Sequence, residues 1–544
     1  MSSCASPFIV ESLETRVLLS TYLVTSALDG PGSIAPTSPG QFRATTLRAA
    51  VAASNARAGA DVIRFADSVR GTLVLKSALP AIQDSLIIAG PGATGLTIRR
   101  DGNAAAFSVF QVLAGRRVTI GGLTLAGGAG LNQRPGPGLA QLGDGGGVHN
   151  AGELVIANCR ITGNAGVSGA GIWNTGKLTL LNSTLSDNRT DGGGGAALYN
   201  TGTAILANVA VTGNAMISEG GQAIFNDAGA YLTATNCTIA YNSATYRQAG
   251  AIENRGSAKL LNCTIANNYA TYGDAGGLYN DQFATMTLVH CTVAGNVASH
   301  SGIGGIFNGG RLTAFNSIVA GNWTFTRYDD LEADLDGFGT TDATSAGNVF
   351  GVGGSGGLRN GVNANKVNVA FTALKLGALA NNGGPTATFA LLPGSAAINA
   401  GINSAATKAG LYSDQRGLAR IASGGRADAG AFETPAVGGA SVSGAVFNDR
   451  NRDGVRQSIE PLLPAWQVYV DQNRNGLWDA GERFSFTSSA GTYRVAGLSA
   501  GPTRVRLVRF DGWTQTVPAI GYWDIALQTN QQVAGRSFGV VYAS

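Results

Sequence analysis

The stretch VHNAGELVIANCRITGN, residues Val148–Asn164, aligns position by position with IWNTGKLTLLNSTLSDN, residues Ile172–Asn188. Three asparagines hold their places in both: Asn150, Asn158 and Asn164, then Asn174, Asn182 and Asn188. The first column continues through Asn200, Asn226, Asn254, Asn280 and Asn308, at intervals of 24, 26, 26, 28, 26 and 28 residues. The second continues through Asn208, Asn236, Asn262, His290 and Asn316, and the third through Asn214, Asn242, Asn268, Asn296 and Asn322. Columns that stay in phase over so many units mark a repeat protein, in which each unit buries its apolar side against its neighbours.

Within a unit the apolar residues alternate over short segments bounded by Gly and Asn, the period of a β-strand. One aliphatic column reads Val148, Ile172, Leu198, Ile224, Ile252, Leu278 and Ile306, and two more run from Ile156 to Ala314 and from Ile161 to Val319. Three strands per unit, stacked, predict a parallel β-helix whose coils rise by about 4.8 Å, the spacing of paired strands. Asn suits such coils twice over. It tolerates left-handed backbone angles at turns, and its amide can bond the same amide one coil on. The stack is expected to extend N-terminally through Val118–Leu125 and through Leu86–Ile88 with Leu96–Ile98. The Ala-rich amphipathic segment Thr46–Asn55 is expected to be a helix capping its open end.

Composition agrees with a folded, turn-rich, all-β chain. Gly is 80 of 544 residues without collagen's three-residue period, and there are only 15 Pro. The 44% apolar content and net charge of +4 exclude global disorder and leave no nucleic-acid footprint. No apolar run is long enough to span a bilayer. Four of the five Cys, Cys159, Cys237, Cys263 and Cys291, share one inward column and are expected to be free buried thiols. Cys4 follows no apolar segment and is a poor lipidation candidate.

The order of Thr46–Asn55, Gly90-Pro-Gly92, the Asn-Cys-Thr-Ile rungs, Asn381-Asn-Gly-Gly-Pro385, Leu392-Pro-Gly-Ser395, Asp414-Gln-Arg-Gly417 and Asp428-Ala-Gly-Ala-Phe-Glu433 resembles bacterial right-handed β-helix surface proteins of the choice-of-anchor Q type. The resemblance covers about residues 21–435, with regular coils over about 147–322 and a C-terminal cap over about 323–435. It implies an exported, envelope-associated protein of the pectin-lyase-like fold. Residues 1–20 read as a sorting-like segment. Leu13-Glu-Thr-Arg-Val-Leu-Leu-Ser20 is similar to the LEPR-XLL motif of some bacterial surface proteins, with Thr15 where that motif has Pro.

Residues 436–442 read as a linker, and beyond them 443–544 contain no Lys. Here one ligand spacing occurs twice: Asp449, Asn451, Asp453, Gly454 and Glu460, then Asp471, Asn473, Asn475, Gly476 and Glu482, with Asp479 at the ninth position. Side-chain oxygens at alternate residues, Gly at the sharp turn and a terminal carboxylate are the pattern of a calcium loop, with the carbonyls of Val455 and Leu477 at the seventh position. The expected ion is Ca2+. Flanking strands at Val442–Phe447 and Trp466–Val470 replace the helices of an EF-hand. With Gly491-Thr-Tyr493 and Gly497-Leu498 they make this segment similar to the B-type (SdrD B-like) domains of serine-aspartate-repeat adhesins, which implies a calcium-stiffened β-sandwich. The Lys–Asn cross-link of a related fold is excluded by the missing Lys.

Two function classes compete on the β-helix. Asp227, Arg255 and Asp281 follow the first Asn column in three successive coils, and Glu253 replaces an aromatic beside them. The two aspartates, two strand spacings or roughly 9–10 Å apart, approach the geometry of an inverting glycosidase pair. The competing account is an Asp-Arg-Asp surface ladder. The Asp-Asp plus Gly-His-Gly pattern of polygalacturonase-like enzymes is missing. A column of Trp173, Tyr199, Phe225, Tyr279 and Phe307 stands on the outer side of its strands. Left bare by segments 190–195 and 215–221, it would be a platform for sugar rings. The preferred reading is a non-catalytic extracellular or cell-envelope protein that binds polysaccharide or cell-surface proteins; the alternative is a polysaccharide lyase or hydrolase.

Overall fold

The computed structural model describes residues 20–130, 144–216, 222–246, 249–300, 302–325, 330–420, 425–434, 440–464, 466–479, 482–488, 490–510 and 512–542. The LEPR-XLL-like motif up to residue 19, Cys4, most of the linker and residues 217–221 lie outside the described residues.

Three long parallel sheets form the β-helix. A coil runs from Val148–Asn150 in a nine-stranded sheet, through Glu153–Ala157 in a 14-stranded sheet, to Arg160–Thr162 in an 11-stranded sheet. The inward columns close into one continuous core from Tyr22 to Phe350. Each side chain removed from water there contributes about 1.5–3 kcal/mol. A fourth short strand, such as Ala165–Gly166 or Tyr269–Thr271, was not foreseen from the three-strand pattern. The stack also runs past both ends expected of it, beyond Leu86 and beyond the regular coils at 322. It begins with a further coil, Asp61–Phe65 and Gly71–Leu75, and ends at Val349–Phe350. Helix Leu47–Asn55 is capped by Thr46, whose hydroxyl accepts from Ala49 N, and buries Leu47, Ala50 and Val51 over the end of the core. Past it, the 14-stranded sheet carries on through Thr21–Val24, Gln41–Ala44 and Ile34–Ser38.

All three asparagine columns carry amide ladders, the second from Asn182 to Asn262 at 2.9–3.2 Å, but they differ in burial and backbone. The asparagines of the first column are buried, and each amide donates to the next coil's carbonyl oxygen from Asn150 through Asn308, at 2.7–2.8 Å. The third column does the same from Asn164 to Asn322 at 2.8–3.0 Å. Only the second column uses the left-handed conformation, with φ of 47–56° from Asn158 to Asn316, His290 included. His290 Nε2 pairs with the Asn316 amide at 2.9 Å. The third ladder ends on a carboxyl group: Asn322 donates its amide and its backbone N–H to Asp334 Oδ1 at 2.9 and 3.0 Å.

The four column cysteines are buried and free. Burial pushes the Cys159 thiol up to about 12. Described residues between 376 and 420 run back along the coils as a strap, with Thr386, Ser413, Gln415 and Arg420 bonded to coil residues. Gln415 donates to Thr238 and Thr386 and accepts from Thr264, while the fully buried Arg420 donates to Asn262 and pairs with Glu433 at 3.5 Å.

The C-terminal segment is a sandwich of two mainly antiparallel sheets. One holds Thr492–Leu498, Ala440–Asn448, Phe538–Tyr542 and Trp513–Val517; the other holds Phe484–Phe486, Gln467–Val470, Gly501–Leu507 and Tyr522–Leu527. Val446, Val468, Val505 and Phe538 from both sheets share one core. Its first strand starts at Ala440, inside the segment read as linker.

Two predictions follow from the ladders. Asn254→Ala strips the donor from Asn280 Oδ1 and the acceptor from Asn226, and is expected to lower the unfolding free energy by about 3 kcal/mol. Asn208→Gly removes half-buried amide bonds to Asn182 and Asn236 but takes φ 56° freely, and is expected to cost about 1 kcal/mol, less than the buried Asn254. Equal losses in urea unfolding would contradict the greater weight of the buried ladder. At the ladder's end, burial, opposed by the Asn322 hydrogen bonds and reinforced by the neighbouring Glu332 carboxyl, pushes Asp334 up to about 7. The folded state then holds a proton that the unfolded state releases near pH 4. Stability is therefore lost as pH rises from about 4 to about 7. Asp334→Asn is expected to flatten that slope in pH-dependent unfolding, and an unchanged slope would refute the assignment.

Candidate functional site

The nine-stranded sheet carries the outer aromatic column, and strand register puts His149, Trp173, Tyr199, Phe225, Glu253, Tyr279 and Phe307 in one row. Stacked strands force the rings onto one another. Trp173 and Tyr199 lie 4.3 Å apart with planes at 11°, Tyr199 and Phe225 at 4.6 Å and 30°, and Tyr279 and Phe307 at 5.1 Å and 4°. The ring faces are thus spent on each other, which corrects the expectation of a flat sugar-stacking platform. Trp173, Tyr199, Tyr279 and Phe307 remain half-buried in this row. Phe225 is buried, and a Cβ added to Gly194 would lie 3.4–3.5 Å from it, so the segment around Gly193–Gly195 passes beside the row.

Glu253 interrupts the aromatic row. It is fully buried and pairs with Arg255 at 2.7 Å, while the same guanidinium stands 3.8 Å from Asp281 and 5.1 Å over the Phe225 ring. The ion ladder is therefore Glu253–Arg255–Asp281, not the Asp227–Arg255–Asp281 arrangement expected from the column. Asp227 instead accepts from the Tyr199 hydroxyl at 3.2 Å and from Ala228 N at 2.8 Å. Asp281 accepts from Gln282 N at 2.7 Å. Burial by itself lowers the Arg255 pKa, but Glu253, Asp281 and Asp227 outweigh it and hold the guanidinium firmly protonated. Burial, with Asp227, pushes the Tyr199 hydroxyl up to about 12, and burial with Asp281 does the same for Tyr279. Both phenols stay protonated donors at neutral pH. A cavity of about 550 Å³ opens at the C-terminal end of the row, lined by Asn308, Glu332, Asp336 and Gly353–Gly357. Sequence alternation gave the outer side of the strand but not the ring plane, and Tyr199 as a partner of Asp227 was missed.

The two acidic loops of the sandwich repeat one internal geometry. Gly454 N donates to Asp449 Oδ2 and Gly476 N to Asp471 Oδ2, at 3.0 and 3.2 Å. Asn451 accepts from Asp453 N as Asn473 does from Asn475 N. Asp453 accepts from Val455 N as Asn475 does from Leu477 N. Glu460 caps Arg450 N and Gln457 N, and Glu482 caps Gln472 N and Asp479 N. Asp479 accepts from both Asn473 and Asn475 at 2.6 Å. Arg452 and Arg474 take φ of 62 and 61°, and the following turn glycines 74 and 79°. Among the described residues, no three acidic, His or Cys side chains are gathered as a finished metal cluster. Asp449 Oδ1 and Asp471 Oδ1 are nevertheless both buried and accept no hydrogen bond there. An orphaned carboxylate oxygen at the same place in both loops fits a hard cation, which would supply the missing partner.

Residues 168–350 match the family described as "Right handed beta helix region". No curated protein matches the chain. Similar solved structures include pectate lyase Pel9A, at 13% identity and TM-score 0.41, covering 77% of this chain and 97% of that one. The A-modules of the Azotobacter vinelandii mannuronan C-5 epimerases AlgE6 and AlgE4 are each 12% identical, with TM-scores of 0.29 and 0.30. They cover 59% and 58% of this chain, and 91% and 94% of their own. Likeness at this level does not reach from architecture to chemistry.

Removing Arg255 would take the charge partner at 2.7 Å away from the buried Glu253. Arg255→Ala is expected to cost about 3 kcal/mol in chemical unfolding, because breaking a buried ion pair from one side is costly. The pair Glu253→Gln with Arg255→Gln should regain most of that. If the double variant is as unstable as the single one, the ion pair is not what holds this site.

Proposed function

We propose that the chain is an exported, non-catalytic bacterial surface protein. It retains polysaccharide along the outer face of the nine-stranded sheet and carries a calcium-stiffened β-sandwich. The observation that carries this is the engagement of the charged groups. Arg255 is held by Glu253 and Asp281, and both oxygens of Asp227 accept hydrogen bonds. A lyase or hydrolase needs an acid or base free to exchange a proton with substrate. This row offers fixed donors and acceptors instead, repeated once per coil along the axis, which suits a linear chain of hydroxylated rings. The bacterial envelope location and the choice-of-anchor Q and SdrD B-like kinships rest on the sequence motifs, and the calcium on the paired orphan oxygens of Asp449 and Asp471. The second reading, a polysaccharide-degrading enzyme, keeps Asp227, Glu253, Arg255 and Asp281 as its candidates.

A polysaccharide panel scored for retention and for new chain ends, with calcium present, separates these readings. Retention without new ends, reduced several-fold in Tyr199→Phe and Asp281→Asn, is the expected result. New ends that vanish in Asp227→Asn or Asp281→Asn would make the protein an enzyme. Neither retention nor cleavage would discard polysaccharide as the ligand.

A further inference from the structure

The two acidic loops match in sequence spacing and internal hydrogen bonds, but their surroundings differ at one matched position. The strand entering the first loop pairs Phe447 with Gly539, and the strand entering the second pairs Tyr469 with Arg506. Phe447 and Tyr469 each stand two residues before the first aspartate of their loop. Where the first loop faces a glycine, the second faces an arginine. The space is filled accordingly. A Cβ on Gly454 would lie 3.6 Å from Val517, whereas one on Gly476 would lie 3.8 Å from the Arg506 guanidinium. Arg506 Nε donates to Asp471 Oδ2 at 2.5 Å, and the carboxylate side chain is fully buried. The guanidinium also rests over the Tyr522 ring, 4.6 Å from its centroid.

On the basis of the calcium reading above, we infer that Arg506 is a built-in competitor for the second loop, so that the two loops load at different calcium concentrations. Each loop contributes three carboxylates, Asp449, Asp453 and Glu460 against Asp471, Asp479 and Glu482. In the second, one of them already holds a cation in direct contact. A divalent ion entering there must face the guanidinium or displace it, and Tyr522 gives the displaced group a cation–π resting place. The first loop has its own arginines, Arg450, Arg452 and Arg456. They are exposed and form no ion pair with its carboxylates among the described residues. Solvent and salt screen such charges, whereas a guanidinium on a buried carboxylate keeps its full effect. The first loop is therefore the tight site and the second the weak one, filled last.

Calorimetric calcium titration of the full chain tests this. The wild type is expected to show two binding events whose constants differ by about tenfold or more, an energy difference of about 1.4 kcal/mol. Asp449→Asn should remove the tight event and Asp471→Asn the weak one. Arg506→Gln should tighten the weak event by about tenfold. Arg506→Lys, which keeps the charge, should tighten it less. Arg504→Gln removes a charge from the same strand, but one paired with Asp524, and should leave the weak constant nearly unchanged. Loss of the tight event in Asp471→Asn, equal wild-type constants, or no tightening in a folded Arg506→Gln would overturn the role of Arg506 while leaving calcium binding intact. No calcium binding at either loop would overturn the calcium reading itself, and this inference with it.

Discussion

Every coil of the β-helix has to turn without leaving a buried amide or carbonyl group unpaired, and the side-chain amides of asparagine meet that constraint. A neutral amide carries a donor and an acceptor on one short arm, so identical residues one coil apart satisfy each other and the row extends without limit. Asn150 through Asn308 and Asn164 through Asn322 are two such rows, and their amides also serve backbone carbonyls at the corners. A carboxylate repeated in the same place would repel itself, and a hydroxyl would not span the gap. The row can finish on a carboxyl group because its last member need only accept, as Asp334 does for Asn322.

A scaffold fixed in this way passes its regularity to whatever stands on the outside. Outward residues are stacked as strictly as inward ones, so aromatic side chains in one column must lie face to face, as Trp173 and Tyr199 do. An acid placed in that column must find a cation within its own or the adjoining coil, as Glu253 does in Arg255. The same stacking explains how the strap finds its place. Thr238 and Thr264 occupy equivalent positions in adjacent coils, and one Gln415 amide bonds both.

Repetition is also what made parts of the molecule legible. The coils, their inward columns and the free cysteines could be read because the signal recurs in fixed phase, and the capping helix by its own Ala-rich amphipathic pattern. The first coil, Asp61–Phe65 with Gly71–Leu75, lacks the Asn columns and was not recognised. The short fourth strands have two or three residues, too few for alternation to register. The partners of Gln415 lie 151 and 177 residues away, where no local pattern reaches. Alternation assigned Phe225 to the outer side of its strand, but only packing decides that it is buried there, beside Gly194.

The acidic loops of the sandwich show the opposite case. Their geometry was legible because a loop of twelve residues carries its own turn signals: Gly454 and Gly476 at the sharp bend, and asparagine or aspartate oxygens returned to the backbone two residues on. What distinguishes the loops is supplied from outside, by Gly539 and Val517 in one case and Arg506 in the other. Arg506 lies 35 residues from Asp471 and belongs to no loop motif. A motif thus specifies which side-chain oxygens are gathered, while the neighbouring strand sets the electrostatic field around them. In the β-helix each coil inherits its surroundings from the next, so like positions behave alike. In the sandwich, two copies of one loop meet different strands, and like sequences acquire different chemistry.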